Sequence, residues 1–258
     1  MINDKKDFWK RKLMAYLHDP PHKSLDIGRH EEGAKSLCFG AGITELDYDT
    51  FKKMKEADHM ASASDRFPFP KGKCASKFTG KLGETFKHPL NGSEYEFECP
   101  TWELADEILK NAIGGIKSNS ENDEEKWKQI FFLYWRRWLD EVVKIKEYGS
   151  VARHFAYFPA DTRIPDHTIW SHMAITSALE GCRNEAGKIK PSFILFNLGP
   201  VQEFIAQARS TRDLWSGSYM LSWLTAHAMK AVSDYNGPDS VVFPSLSGQG
   251  DFRCLISG

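Results

Sequence analysis

The segment Tyr16-Leu17-His18-Asp19-Pro20-Pro21-His22-Lys23 sets an imidazole beside a carboxylate at the end of an apolar stretch, and two prolines end that stretch at once. An imidazole nitrogen paired with a carboxylate oxygen suits Mn, Fe, Co, Ni or Zn better than Ca or Mg. An ion held by such donors can activate water for attack on a phosphoester. A lone His-Asp pair is more often a hydrogen-bonded surface pair, so the argument needs further donors. Asp58-His59 supplies a second group, and Asp161, Asp166, His167 and His172 form a third. Three separated His/Asp groups fit one site assembled by the fold.

Other side chains near these groups have roles to match. Lys23 or His22 could hold phosphate oxygens as charge builds, and Asp161 or Asp166 could fix an imidazole tautomer. Each carboxylate also has a plainer use. Asp161 opens an Asp-Thr-Arg turn before Ile-Pro, and Asp166 is placed to cap the helix that carries His172. His88, His154 and His227 have no partner pattern.

The elements that must position these groups are mostly helices. Asp7 to Leu17 repeats apolar residues on one side. A short helix starts near His30 within Gly28–Gly42, and a third is expected over Phe51–Asp65. The third has Asp58, Ala61, Ser62 and Asp65 on one face. If His18 and Asp19 stay helical, they point about 100° apart. Thr101 caps a helix entering Leu104, Ile108 and Leu109, and Gly114–Asp123 is a polar linker. Glu124–Lys146 is the clearest helix, with an apolar stripe of Trp127, Ile130, Phe131, Tyr134, Trp138 and Val142. That stripe reads as core rather than as a base-stacking platform. Thr168–Leu179 forms another helix.

Residues 66–102 read as an insertion, rich in Pro, Gly and Lys, with one hairpin around Tyr95–Glu98. Beyond Lys190 the pattern changes. Phe193–Leu198 reads as a buried strand, Gly199-Pro200 opens a helix through Arg209, a second helix covers Asp213–Val232, and Val241–Pro244 is a further strand candidate. Two strands make no stable sheet unaided, so this portion reads as an incomplete α+β piece. Arg209, Arg212 and Ser218 could touch a nucleotide, RNA or a partner subunit. For the arginines, with Asp213, an interdomain ion-pair network is the plainer use.

With 258 residues, 41% hydrophobic and 13% aromatic, the chain can build a sizeable core. A formal net charge of -1 argues against a bulk electrostatic grip on nucleic acid. Binding would need local patches, such as Lys5, Lys6, Lys10, Arg11 and Lys12, or Lys71, Lys73, Lys77 and Lys81. The five cysteines are scattered and form no Cys-x-x-Cys pair, which speaks against a zinc knuckle or disulfide framework and for a reduced, cytoplasmic protein. No apolar run is long enough to span a bilayer.

Three segments resemble the large subunit of type III-B (Cmr-type) CRISPR effector complexes: Leu17–Lys23, Pro159–Thr168, and Gly199–Ile205 continuing to Thr211–Tyr219. Ala57-Asp58 with Asp65-Arg66 also fits. The resemblance implies a mainly α chain, with a permuted HD-superfamily phosphohydrolase domain over residues 1–190. An incomplete α+β, ferredoxin-like palm piece would follow over 191–258. It implies metal ligation by His18, Asp19, Asp58 and His172, with His30 matching a middle-motif histidine. His22, His59, Asp161, Asp166 and His167 rank second. The implied cofactor is one or two transition ions, Mn, Ni or Co, and the implied activity is cleavage of single-stranded DNA with Lys23 beside the His-Asp pair. Other Cmr-type subunits and the guide RNA are the implied partners. The family protein is several times longer, so the chain resembles its N-terminal part. The sequence holds no Gly-Gly-Asp-Asp motif, so cyclic oligoadenylate synthesis is not expected of it. A non-catalytic scaffold is the alternative. A free nucleotide phosphohydrolase is disfavoured, because the resemblance continues through Phe193–Tyr219, outside any HD domain.

Overall fold

The computed structural model describes residues 5–52, 55–63, 77–79, 90–94, 98–114, 116–162 and 167–247. The chain divides into two compact units, Met1–Ile189 and Lys190–Gly258. Both are helical. Among the described residues no extended strand occurs, and the isolated bridges include Pro159 with Thr168 and Arg183 with Ile189.

The first unit is organised around α1 (Lys5–Leu17), which packs between α6 (Asp123–Lys144) and α8 (Ile169–Gly181). Leu13, Tyr16 and Leu17 of α1 are buried, as expected from their spacing, and Trp9 is buried with them while Phe8 is only partly so. On α6 the buried residues are Trp127, Ile130, Phe131, Tyr134, Trp138 and Val142, the stripe legible in the sequence. Burying each such side chain contributes about 1.5–3 kcal/mol before entropy is counted. The polar atoms of this core are provided for. Trp138 Nε1 donates to the Leu109 carbonyl at 3.3 Å, and Trp170 Nε1 to the Phe155 carbonyl at 2.6 Å. Leu109 belongs to α5 (Trp102–Ile113), capped by the Thr101 side chain as the sequence predicts.

After α1 the chain turns through Pro20 and two 3-10 turns, Lys23–Leu25 and Ile27–Arg29, into α2 (His30–Gly40). Gly33 lets α2 approach that turn closely. A Cβ there would sit 2.9 Å from Pro20 Cγ and 3.1 Å from Trp102 Cζ2. The expected Phe51–Asp65 helix is replaced by two, α3 (Glu45–Lys52) and α4 (Glu56–Ala61). α3 starts earlier because Thr44 receives the Asp47 N–H at 3.2 Å. Asp65 lies outside the described residues, as does Tyr95–Phe97 of the expected hairpin. Within the expected insertion, Phe78 is buried, and its N–H donates to the Ser24 carbonyl at 2.8 Å. α7 (Gly149–His154) leads to α8, whose cap is Thr168 rather than Asp166. Asp166 lies outside the described residues.

The second unit holds α9 (Val201–Ala206), α10 (Thr211–Asn236, capped by Ser210) and a 3-10 turn at Pro238–Ser240. Neither expected strand is present. Residues 191–200 form no regular element, and Phe193, Ile194 and Leu195 are exposed. Val242 and Phe243 are likewise exposed and unpaired in any sheet. A strand exists only through its neighbours' hydrogen bonds, and the described residues offer no partner. No helix among them is long and apolar enough to cross a membrane.

Candidate metal centre

Three helices of the first unit bring four side chains to one point. His18 and Asp19 follow the last residue of α1, Asp58 is on α4 and His172 is on the first turn of α8. One ligand atom from each lies within 4.8 Å of all the others. The His18 and Asp19 side chains meet because α1 has already ended at Leu17. The helical 100° divergence considered from the sequence therefore does not apply.

The contacts within the cluster are even. His18 Nε2 lies 3.3 Å from Asp19 Oδ2 and 3.5 Å from Asp58 Oδ1. His172 Nε2 lies 3.5 Å and 3.4 Å from the same two oxygens. None of these has hydrogen-bond geometry, and both Nε2 atoms are buried without a hydrogen-bond partner. His18 Nδ1 is 2.6 Å from the Ala15 carbonyl. A carbonyl can only accept, so Nδ1 carries the proton and, in the neutral ring, the Nε2 lone pair faces the cluster. Two imidazole nitrogens and two carboxylate oxygens aimed at one centre form a donor set suited to a transition ion. The residues present therefore fit a metal.

Electrostatics points the same way. Burial alone would push both imidazoles down, but the carboxylates of Asp19 and Asp58 more than offset it. His18 is raised to about 9, and His172 is raised as well. Burial would push Asp19 and Asp58 up, and the pairing instead holds both well below the usual carboxylate range. For Asp19 the opposing charges are His18 and then Lys23, whose Nζ is 2.5 Å from Oδ2. Lys23 thus reaches the cluster through Asp19.

A cleft opens on the cluster, lined by His18, Asp19, His30, Lys52, Asp58 and Thr176 among others. His30 Nδ1 donates to the Ile27 carbonyl at 2.7 Å, so in the neutral ring its Nε2 is left as an acceptor. His30 is beside the cluster but is not one of its four converging donors. His22 is elsewhere. It is buried with its ring 4.0 Å from that of Trp102, and neither nitrogen has a hydrogen-bond partner. Burial, with Arg29 and Lys110 adding to it, pushes His22 down to about 3. A neutral ring packed in this way does not hold phosphate. His59 is exposed on α4. The His167 ring lies 6.4 Å from that of His172, and Asp161 precedes it in the half-buried approach to α8. In the second unit Arg209, Arg212 and Ser218 are exposed, and the Asp213 carboxylate accepts the Arg209 backbone N–H at 3.3 Å.

Sequence reasoning missed two sets of residues. Thr176 lies one helical turn beyond His172, so i, i+4 spacing on α8 was the available signal. Glu180 is buried on the last turn of α8, where it accepts Arg11 Nε at 3.3 Å and both Arg183 Nε and Nη2 at 2.8 Å. Arg183 Nη1 reaches Glu56 Oε2 at 3.2 Å. The network therefore ties α8, α1 and α4, the three helices that carry the cluster.

The family model described as "CRISPR-associated protein Cmr2, N-terminal" matches residues 193–257. The chain is 30% identical to the CRISPR system Cmr subunit Cmr2 of Pyrococcus furiosus, over 96% of this chain and 32% of that protein. It is 26% identical to the CRISPR system CMR subunit Cmr2 of Saccharolobus solfataricus, over 95% of this chain and 24% of that protein. The chain thus spans about a third or less of the length of these relatives.

Proposed function

The chain belongs to the Cmr2 family of type III-B CRISPR large subunits, as a counterpart of their N-terminal part, and from that premise we propose that its first unit is an HD-type nuclease. Its substrate is single-stranded DNA, and its reaction is hydrolysis of phosphodiester bonds in antiviral defence. The observation that carries this reading is the convergence of His18, Asp19, Asp58 and His172 on one point. Those four residues would hold one or two divalent ions, with Mn, Ni or Co suiting the mixed nitrogen and oxygen donors. Such an ion supplies a water acidified towards neutrality, ready to attack phosphorus.

The chain's own groups divide the remaining work. Asp19 is fixed by Lys23 at 2.5 Å, which holds the carboxylate ionised and oriented. The Ala15 carbonyl holds His18 in the tautomer that leaves Nε2 free. Lys23 is also placed to offset negative charge gathering on a phosphate. His30, on the wall of the cleft, is an acceptor beside the cluster.

In the same proposal the first unit is a permuted HD domain, residues 191–258 begin a palm-type domain, and the protein works in the cytoplasm with other Cmr-type subunits and the guide RNA. The alternative is a non-catalytic scaffold that contacts those partners. The exposed apolar side chains of the second unit, Phe193 to Leu195 and Trp215, favour it.

The test is cleavage of labelled single-stranded DNA with Mn, Ni or Co, comparing the chain with a His18→Ala/Asp19→Ala double variant. Metal-dependent cutting that is lost in the variant is the expected result. Equal cutting by both proteins, or none with any ion, would move the assignment to the scaffold.

A further inference from the structure

Thr176 is 1% exposed, and its Oγ1 is a buried atom without a hydrogen-bond partner. A helical threonine can pass its hydroxyl proton to the carbonyl four residues back. Here that carbonyl belongs to His172, and the bond is not made. The side chain instead lines the cleft with His18, Asp19 and Asp58. His172 and Thr176 share a face of α8 at one-turn spacing, so the hydroxyl and the cluster sit along one wall.

A buried hydroxyl left unpaired is unfavourable, and native proteins seldom retain one without a use. The cluster next to it has the same property, since two imidazole nitrogens there also lack hydrogen-bond partners. We propose that Thr176 is a ligand-binding residue of this site, its hydroxyl hydrogen-bonding an oxygen held in the cleft beside the four donors. This rests on the metal reading above and deepens it. The oxygen belongs either to water or to a phosphate group. Either can accept the hydroxyl proton, and a water can in addition donate to the hydroxyl oxygen.

Thr176→Val removes the hydroxyl at nearly constant shape, and Thr176→Ser keeps it. The melting temperature of each metal-free protein is measured first. Calorimetric titration with Mn alone, and with Mn plus inorganic phosphate, follows. The expected result is that Thr176→Val melts at or above the wild-type temperature, because no internal bond is lost. Its affinity falls about five- to tenfold, the worth of one hydrogen bond, and Thr176→Ser restores it. A fall with Mn alone identifies water as the partner, and a fall only with phosphate present identifies the phosphate oxygen. A lower melting temperature for Thr176→Val, or unchanged affinity in both titrations, overturns the inference. Wild-type protein that takes up no Mn overturns the metal reading and this inference together. Wild-type uptake that the valine leaves untouched overturns only this one.

Discussion

Glu180 touches none of the four converging donors, yet its replacement by glutamine should loosen the whole site. Its carboxylate is 1% exposed as a residue and takes three N–H bonds from two guanidinium groups, Arg11 and Arg183. Those guanidinium groups have side-chain exposures of only 10% and 4%. Glutamine preserves the shape, replaces one oxygen by a donor and removes the charge that both arginines face. Removing one partner of a buried ion pair costs about 3–5 kcal/mol, because the remaining charge is left uncompensated. For a unit of this size, about 2–4 °C of melting temperature is lost per kcal/mol. Glu180→Gln should therefore melt about 6–20 °C lower by circular dichroism, with a matching drop in urea midpoint. Arg136→Ala, which breaks the partly exposed pair with Asp140 at 3.0 Å, should cost at most about 1 kcal/mol and serves as the control. Since the network joins α1, α4 and α8, Glu180→Gln should also weaken Mn binding at temperatures where the variant remains folded. A Glu180→Gln protein within about 1 kcal/mol of wild type would refute the reasoning.

The cluster makes further predictions through its protons. His18, raised to about 9, is protonated at neutral pH in the metal-free protein, so an ion must displace that proton. Apparent Mn affinity should rise by up to about tenfold per pH unit between pH 6.5 and 9 and then level, and a flat titration across that window would count against the cluster. The metal-free protein should behave in the opposite way. A raised histidine contributes stability that is complete below its unfolded value and is lost as pH climbs through its folded value. Chelator-treated protein should therefore melt lower at pH 9 than at pH 6.5. His22 works in the other direction, because it is pushed down to about 3. The unfolded chain binds its proton first, so stability should fall as pH drops from 6.5 towards 3, by at most about 1.4 kcal/mol per pH unit for this group. Urea midpoints of His22→Phe should decline less over that range than those of wild type, and parallel declines would refute the assignment. Phe78→Ala empties a buried position against Phe158, at a ring distance of 6.2 Å, and should cost about 3–5 kcal/mol. A change under about 1 kcal/mol would show that Phe78 is not part of the core.

Much of the helical frame was legible because periodicity reports burial directly. The α6 stripe is the clear case, since each residue that recurs at helical spacing is in the core. The cap at Thr101 follows from side-chain chemistry alone, whereas the Ser210 cap, which starts its helix at Thr211 rather than Asp213, was not read from the sequence. What failed did so where local pattern does not decide. Phe193–Leu198 has the composition of a strand, but strand structure is a property of a pair, and one chain segment cannot announce its partner. Phe51–Asp65 carries helical spacing, yet the capping threonine before Asp47 starts one helix earlier, and the helix that carries Asp58 begins separately at Glu56. At the site, spacing alone grouped histidines with acids, and the family resemblance put His18, Asp19, Asp58 and His172 ahead of His22 and the other second-ranked residues. Three-dimensional placement separates them, with His172 at the convergence and His22 against Trp102. Nothing in the spacing of His22 from His18 distinguishes a ring facing a cleft from one facing an indole.

The electrostatics also bear on how four such donors can be held together before an ion is bound. Two carboxylates and two imidazoles brought together with no protons would leave Asp19 and Asp58 repelling each other in a largely buried space. His18, raised to about 9, brings a proton to that space, so in the metal-free cluster the His18 imidazolium and Lys23 stand against the two carboxylates. Folding is therefore expected to be separable from metal uptake. The helices are locked by the apolar core and by the Glu180 network, and the cluster stays charge-balanced until an ion replaces its proton. A site preformed in this way requires little rearrangement on binding, which favours affinity by reducing the ordering cost. It also implies that chelation should leave the helical content intact. Loss of helix on chelator treatment would mean instead that the ion, rather than the Glu180 network, holds α1, α4 and α8 together.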